Sequence, residues 1–200
     1  MDALRDKSGI VTGAAHGIGV PIAHALAAEG MNLAVVDKRE DDSLAAVAGD
    51  LRSKGVKVIE ITADVTVPAD RAAIIDEVEQ SLGPIDVLIN NAGVWPTAYV
   101  KNMTETDWSQ TLAVNLTGPF LTSREATRRW LASGRTGTIV NVSSQAAFRG
   151  STTGHAHYAA SKAGLVSFTV SLAREVAPQG VRVNAVAAGM MRTDMAREAL

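Results

Sequence analysis

Residues 9–19 read GIVTGAAHGIG, and this stretch decides the fold. It opens on a short apolar, β-branched run typical of a buried strand, and an amphipathic segment over 17–29 overlaps its end and predicts a helix. Gly13, Gly17 and Gly19 permit a tight turn and a close approach to the backbone where a helix presents free N–H groups. A glycine cluster often serves only a turn, but its place between strand and helix favours a phosphate-binding loop.

The rest of the chain repeats this alternation of short apolar runs with longer amphipathic segments. Such alternation is typical of βα units, so we predict an α/β fold with a doubly wound parallel sheet and helices on both faces. Strands are expected at 9–12, 32–37, 57–64, 85–90, 137–144 and 181–187, and helices at 17–29, 41–54, 68–82, 104–133 and 157–177. No linker or repeat interrupts the sequence, so residues 1–200 are expected to form a single domain.

Composition excludes several classes of partner. The net charge is −2 and no Lys/Arg cluster occurs, which argues against nucleic acid. No run approaches the roughly 20 apolar residues of a membrane span. The chain has no cysteine and no His/Asp/Glu group at metal-ligand spacing, so we expect no disulfide and no metal. The start, MDALRDKSGIVTG, lacks the apolar core of a signal peptide, and a cytoplasmic location is expected.

Polar residues follow three of the predicted strands. Asp37 ends the second strand, where a carboxylate can accept both ribose hydroxyls of an adenosine and repel a 2′-phosphate. NAD is therefore expected rather than NADP, although Lys38 and Arg39 follow directly and a turn or cap role for Asp37 is the alternative. Asp64 ends the third strand, and the pair Asn90–Asn91 ends the fourth. Each alone suits a turn, but together they outline a groove at the carboxyl edge of the sheet.

A second feature lies in HYAASKAG, residues 157–164. Tyr158 and Lys162 are four residues apart, so a helix places the phenol and the ammonium on one face. A solvated helix face explains the pair alone equally well. If the two cooperate, the ammonium stabilises the phenolate and lowers the pKa of the tyrosine, as a general acid/base requires. Asn115, inside the predicted helix 104–133, is unfavourable there unless its side chain has a partner.

Five motifs in order carry a resemblance to a known family. TGAAHGIG (12–19), NNAG (90–93), Asn115, the serines 143–144 and YAASK (158–162) resemble the short-chain dehydrogenase/reductase family in its classical branch, from residue 7 to about 195. The resemblance implies a Rossmann-like fold and an NAD(P)-dependent oxidoreductase that moves hydride between a nicotinamide and a secondary alcohol or ketone.

The resemblance also implies roles for individual residues. Its catalytic tetrad corresponds to Asn115, Ser144, Tyr158 and Lys162. Tyr158 would be the general acid/base, with its pKa lowered by Lys162 together with the positive charge of an oxidised nicotinamide. Lys162 would also hold the nicotinamide ribose, Ser144 would bind the substrate oxygen, and Asn115 would order a relay water. The implied cofactor-binding residues are Gly13, His16, Gly17, Ile18, Gly19, Asp37, Asp64, Val65, Asn91, Gly93, Tyr158, Lys162 and Thr193.

Other expectations concern the chain's end and its substrate. Family members usually continue beyond the position of Leu200 with a substrate-covering helix and a seventh strand. We therefore expect a sheet without these two elements. Because family tetramers commonly use them, a homodimer is expected rather than a tetramer. A non-catalytic nucleotide-binding remnant is the alternative function, while the glycine spacing disfavours an epimerase or dehydratase of the extended branch. Trp95 and Pro96 are expected to line the pocket or, equally well, to cover the core. His155 and His157 are not expected to contact substrate.

Overall fold

The computed structural model describes residues 3–38 and 41–191 as a layered α/β structure. Its strands are β1 (Ser8–Thr12), β2 (Asn32–Asp37), β3 (Val58–Thr62), β4 (Val87–Asn90), β5 (Thr138–Ser144) and β6 (Arg182–Ala188). Its helices are α1 (Gly19–Ala28), α2 (Ser43–Arg52), α3 (Pro68–Leu82), α4 (Glu105–Leu112), α5 (Gly118–Ala132), α6 (Ala146–Arg149) and α7 (Ala156–Val176). A π-helical segment (Ala113–Thr117) joins α4 to α5, and a 3₁₀ turn (Ala177–Gln179) follows α7.

The six strands form one parallel sheet in the order β3-β2-β1-β4-β5-β6. All five residues of β1 are buried, because this central strand has helices on both faces. The chain runs outward from β1 in both directions, and a crevice therefore opens between the carboxyl ends of β1 and β4. The predicted doubly wound parallel sheet is confirmed.

Two apolar cores cover the two faces of the sheet. Ile10 belongs to the core with Ile74 and Trp130, whereas Val11 belongs to the core with Leu33. Successive residues of β1 point to opposite faces, which explains this division. Across residues 3–38 and 41–191, no helix combines the length and apolar character that a membrane crossing needs.

The helix predicted over 104–133 is present from Glu105 to Ala132, but a π-helical segment that was not expected divides it. Thr104 and Asp107 form a capping box that starts α4, but the chain widens into the π-helical segment before α5 begins at Gly118. Asn115 lies in this segment, and its side chain binds the backbone of Val94 instead of facing solvent. A tertiary contact thus overrides the helical periodicity. The one-turn helix α6 was also not expected.

Candidate active site

A cavity of about 810 Å³ lies at the carboxyl ends of the strands. The predicted residues that line it are Gly13, His16, Gly17, Ile18, Asp37, Asp64, Val65, Asn91, Gly93, Ser144, Tyr158 and Lys162. Gly19 and Asn115 do not line the cavity themselves. Gly19 packs against the lining residue Gly13, and Asn115 binds the lining residue Val94. Thr193 falls outside the described residues. The structure therefore brings both predicted ends of the groove, the glycine loop and the Tyr–Lys pair, into one space.

The glycine loop is tied to the end of β4. The Nδ2 of Asn91 donates to the carbonyls of Thr12 and Gly13, at 3.0 and 2.9 Å. Gly13 has φ +65°, and a Cβ there would lie 2.7 Å from the Cα of Ala92. A Cβ on Gly19, the first residue of α1, would collide with the Gly13 carbonyl. These glycines keep a shallow cradle open at the first turn of α1, where unpaired N–H groups suit a phosphate.

Asp37 lies at the β2 end of the cavity and is 5% exposed. Its Oδ2 accepts the N–H of Ala15 at 3.2 Å and lies 3.6 Å from Nδ1 of His16. The carboxylate is thereby held beside the glycine loop, as expected for a ribose acceptor. Lys38 lines the same end of the cavity, and Arg39 lies outside the described residues.

Asp64 and Val65 follow β3 and line the next part of the cavity. The Asp64 carboxylate accepts the N–H and the O–H of Thr66, at 2.8 and 2.7 Å. Burial opposes ionisation, but these hydrogen bonds, with the charges of Lys38 and Arg71, hold the pKa of Asp64 below its ordinary value. Asp64 thus shapes a turn and also presents a negative charge to the cavity.

The two asparagines after β4 have different functions. Asn90 is buried away from the cavity, where its Nδ2 donates to Asn141 at 2.8 Å and to Ser123 at 2.9 Å. Asn141 in turn donates to Thr169 of α7 at 2.9 Å. This internal chain of hydrogen bonds fixes α5 and α7 on β4 and β5. The groove prediction is therefore correct for Asn91 and wrong for Asn90.

Of the two serines at the end of β5, one is buried in the interior and the other lines the cavity. Ser143 is buried and donates to the backbone carbonyl of Lys162 at 3.0 Å. Ser144 lines the cavity and accepts the N–H of Ala146 at 3.2 Å, and its hydroxyl lowers the pKa of the Tyr158 phenol. Ser144 is the serine that lies beside the phenol.

Tyr158 and Lys162 occupy one face of α7, with Nζ 5.9 Å from the centre of the Tyr158 ring. The ammonium donates to the carbonyl of Val142 at 2.8 Å and is 5% exposed. A Cβ on Gly93 would lie 3.2 Å from Oδ1 of Asn115, which is tighter than ordinary contact, and 3.5 Å from Nζ. The helix thus presents a phenol and an amine to one cavity.

Burial shifts the pKa of both groups. Burial raises the pKa of the Tyr158 phenol above its ordinary value, opposed by the hydrogen bond with Ser144. Burial lowers the pKa of Lys162 to about 8. Desolvation dominates at Tyr158, and the ammonium of Lys162 is directed to the Val142 carbonyl. The expected lowering of the tyrosine pKa involves Lys162 together with the positive charge of an oxidised nicotinamide, and it stays a prediction for the cofactor-bound protein.

Asn115 is fully buried and supports the cavity wall from behind. Its Oδ1 accepts the N–H of Val94 at 2.8 Å, and its Nδ2 donates to the Val94 carbonyl at 2.9 Å and to Ser161 at 3.1 Å. The amide therefore fixes the segment after β4 against α7. Oδ1 has two lone pairs and one of them is used by Val94, so a relay water would bind Asn115 through the second.

Several lining residues were not anticipated from the sequence. They are Gln145 and Arg149 of α6, the loop residues Ser151, Thr152 and Thr153, and Met190 and Met191 after β6. Of the two alternatives for Trp95 and Pro96, the structure has both residues lining the cavity, with the Trp95 ring centre 5.7 Å from that of Tyr158.

His155 and His157 are both buried at the start of α7. His155 joins two loops, since Nε2 lies 3.0 Å from Oγ1 of Thr97 and Nδ1 lies 3.0 Å from Oγ1 of Thr153. Neither histidine lines the cavity. In the described part of the chain, no group of three or more His, Asp or Glu side chains could hold a metal ion.

Comparison with known proteins agrees with this geometry. The family model for short chain dehydrogenase matches residues 7–200. The 3-oxoacyl-[acyl-carrier-protein] reductase FabG of Staphylococcus aureus is 41% identical over 189 residues, which are 94% of this chain and 76% of the relative. The corresponding FabG of Aquifex aeolicus is 38% identical over 193 residues, covering 96% and 77%.

Solved structures with the same fold include two informative relatives. A short-chain type dehydrogenase/reductase from Mycobacterium marinum superposes with a TM-score of 0.94 at 33% identity, covering 98% of this chain and 77% of that one. An NAD+-bound xylitol dehydrogenase superposes with a TM-score of 0.88 at 32% identity, covering 94% and 71%. The chain therefore belongs to the short-chain dehydrogenase/reductase family, whose members are oxidoreductases that use a nicotinamide cofactor and act on small molecules.

Proposed function

We propose that this protein is an NAD-dependent oxidoreductase that interconverts a secondary alcohol and a ketone. The observation that carries the proposal is the arrangement at the α7 end of the cavity. There Ser144 and Tyr158 line the same cavity, close enough that the Ser144 hydroxyl lowers the pKa of the Tyr158 phenol, and Lys162 lies one helical turn away. A protein that only binds a nucleotide has no use for this arrangement.

The three side chains would divide the work as follows. Tyr158 takes the proton of the alcohol or returns it to the ketone oxygen, and Ser144 holds that oxygen in place. The ammonium of Lys162 favours the phenolate and offers donors to ribose hydroxyls. Asn115 acts indirectly, by fixing the Val94 segment beside them. A bound nicotinamide supplies the hydride acceptor or donor.

The cradle fits a dinucleotide, with NAD preferred. A side chain at Gly13 would fill the space beside Ala92, and the buried Asp37 provides a carboxylate at the β2 end. Asp37, with Asp64 and Val65 beside it, favours an adenosine with free ribose hydroxyls. The NAD+-bound state of the related xylitol dehydrogenase supports this preference.

The substrate is proposed at the level of a carbonyl compound and its alcohol. The curated relatives are named for reduction of a 3-oxoacyl group, and the structural relative is named for oxidation of xylitol. Both names describe chemistry at a secondary carbon, which supports the proposed reaction class.

A cofactor assay tests the proposal against the alternative of a non-catalytic nucleotide-binding protein. The protein is mixed with NAD and a panel of secondary alcohols, and the absorbance of reduced nicotinamide is followed. We expect Tyr158→Phe to lower the rate by roughly 10²- to 10⁴-fold while NAD still binds. The matched control is Tyr99→Phe, because Tyr99 is 55% exposed and does not line the cavity. Equal inactivity of wild type and Tyr158→Phe, with NAD bound to both, would favour the non-catalytic alternative.

We also propose a homodimer formed through the helices on one side of the sheet. Large apolar side chains are exposed there, at 41% for Trp108 of α4, 40% for Phe120 of α5 and 47% for Val170 of α7. Covering such side chains favours association. Sedimentation of wild type and Phe120→Glu tests this, and a monomeric wild type would contradict it.

A further inference from the structure

The charges that line the cavity are unevenly distributed. In the described part of the chain the charged lining residues are Asp37, Lys38, Asp64, Arg149 and Lys162. The first three lie at the ends of β2 and β3, the end assigned to the adenosine. Lys162 is buried and donates to Val142. Arg149 therefore carries the exposed charge on the side of the cavity formed by α6 and the loop before α7.

Arg149 has no counter-charge among residues 3–38 and 41–191. Among the described residues, no side-chain hydrogen bond or ion pair engages its guanidinium, and no carboxylate lines the α6 side of the cavity. Some other arginines are paired: Arg129, for example, contacts Asp76, Glu79 and Glu125. What distinguishes Arg149 from a surface arginine that is unpaired in the described part of the chain, such as Arg128, is that it lines the cavity. A planar guanidinium with all its donors unused suits a carboxylate or a similar anion.

Backbone hydrogen bonds fix the position of α6, which carries Arg149, relative to Ser144. The N–H of Gln145 donates to the Ala188 carbonyl of β6 at 2.9 Å, and the N–H of Ala146 donates to Ser144 Oγ at 3.2 Å. The N–H of Arg149 then donates to the Gln145 carbonyl at 3.2 Å. One anchored helical turn thus separates the guanidinium from the serine proposed to hold the substrate oxygen.

The other lining residues on the α6 side of the cavity suit a small organic substrate. Trp95, Pro96, Met190 and Met191 supply apolar surface, and Ser151, Thr152 and Thr153 supply hydroxyls. Consider a substrate with a short carbon chain between a carbonyl group and an anionic group. Its carbonyl would lie at Ser144 and its anionic group at Arg149.

We propose that Arg149 binds a carboxylate on the substrate, so that the enzyme acts on oxo acids and the corresponding hydroxy acids. This inference rests on the proposed function and names its substrate class. Arg149 selects the substrate and takes no part in proton or hydride transfer, which are unchanged from the reaction proposed above.

Matched pairs of acid and amide test the proposal. Pyruvate, acetoacetate and levulinate, which differ in the spacing of ketone and carboxylate, are each compared with the corresponding neutral amide as substrates with NADH. We expect kcat/KM for at least one acid to exceed that of its amide by roughly tenfold or more, as a charge-assisted hydrogen bond provides. Arg149→Gln should abolish this preference by raising KM, and Arg149→Lys should restore part of it. Arg128→Gln, an exposed arginine of α5 that does not line the cavity, should leave it unchanged.

A binding measurement separates this inference from the proposed function. Binding of the same acids and amides to the protein–NADH complex is followed by calorimetry, which needs no turnover. Acid-selective binding that Arg149→Gln removes supports the inference even if no substrate is reduced, in which case only the proposed function fails. Equal use or binding of acid and amide by wild type overturns the inference, and so does an acid preference that survives in Arg149→Gln.

Discussion

The ammonium of Lys162 donates a 2.8 Å hydrogen bond to the backbone carbonyl of Val142, two residues before Ser144 on β5. This bond joins α7 to the strand that carries the proposed substrate-binding serine. It also places a cation in a buried position, where its charge is costly. The stability of the fold is therefore coupled to the protonation of a proposed catalytic residue.

Replacing Lys162 by methionine should change how stability depends on pH. The pKa of Lys162 is about 8 in the folded protein and 10.5 ordinarily, so the unfolded chain binds more protons between these values. The free energy of unfolding of wild type should therefore rise with pH across this window, by up to about 3 kcal/mol relative to Lys162→Met, and stay level below it. Urea unfolding at a series of pH values measures this.

The matched control for that experiment is Lys54→Met, because Lys54 is exposed. Its stability should differ from that of wild type by a constant amount across the same pH window. A wild-type curve that runs parallel to the Lys162→Met curve would show that the lysine does not titrate with a lowered pKa.

The two serines at the end of β5 should separate activity from stability. Ser144→Ala removes the hydroxyl that lowers the pKa of Tyr158 and is proposed to hold the substrate oxygen, so turnover should fall by roughly 10²-fold or more with little change in stability. Ser143→Ala removes the buried bond to the Lys162 carbonyl, so unfolding should become easier by about 1–2 kcal/mol. Steady-state kinetics and urea unfolding of both variants provide the measurements. The reverse pattern would mean that Ser143 is the serine that binds substrate.

The strand alternation explains both what the sequence predicts and where the prediction fails. Continuous apolar runs identified the strands because a sheet covered on both faces buries every position. The same alternation sends Ser143 and Ser144 of β5 to opposite faces, whereas Asn91 lies just beyond the end of β4 and binds the glycine loop. Without the register of β4 and β5, the sequence cannot show which member of the asparagine pair faces the cavity.

Features that depend on contacts between residues far apart in the chain could not be predicted from the sequence. The π-helical turn at Asn115 depends on two hydrogen bonds to Val94, 21 residues earlier, and no local pattern encodes them. The raised pKa of Tyr158 depends on burial beneath loops whose path the sequence does not give. Arg149 enters the cavity because α6 forms where a loop was expected.

Asp37 should control the choice between NAD and NADP. Asp37→Asn keeps an oxygen for the Ala15 N–H and removes the charge, so the repulsion of a 2′-phosphate is lost. We expect the ratio of kcat/KM for NAD to that for NADP to fall by roughly tenfold or more. Kinetics with both cofactors measure the ratio. Asp64→Asn, the carboxylate at the next strand end, serves as the control and should change the ratio less.

The two buried histidines of α7 should respond to substitution in opposite ways. Neither ring nitrogen of His157 has a hydrogen-bond partner among the described residues, so His157→Leu should raise the free energy of unfolding by about 1–2 kcal/mol. His155 instead bonds to Thr97 and Thr153, so His155→Leu should destabilise the protein and loosen both cavity loops. Urea unfolding at neutral pH compares them.

Acidification provides a second test of the histidine pair. Burial lowers the pKa of His157 below 6.5, partly opposed by Asp107, and burial also lowers that of His155. Because the unfolded chain then binds protons first, wild type should lose stability as the pH falls below about 6.5. His157→Leu should lose less over the same range, since it has one fewer histidine to protonate on unfolding. An equal acid loss in wild type and His157→Leu would mean that the ring of His157 is not held neutral by burial.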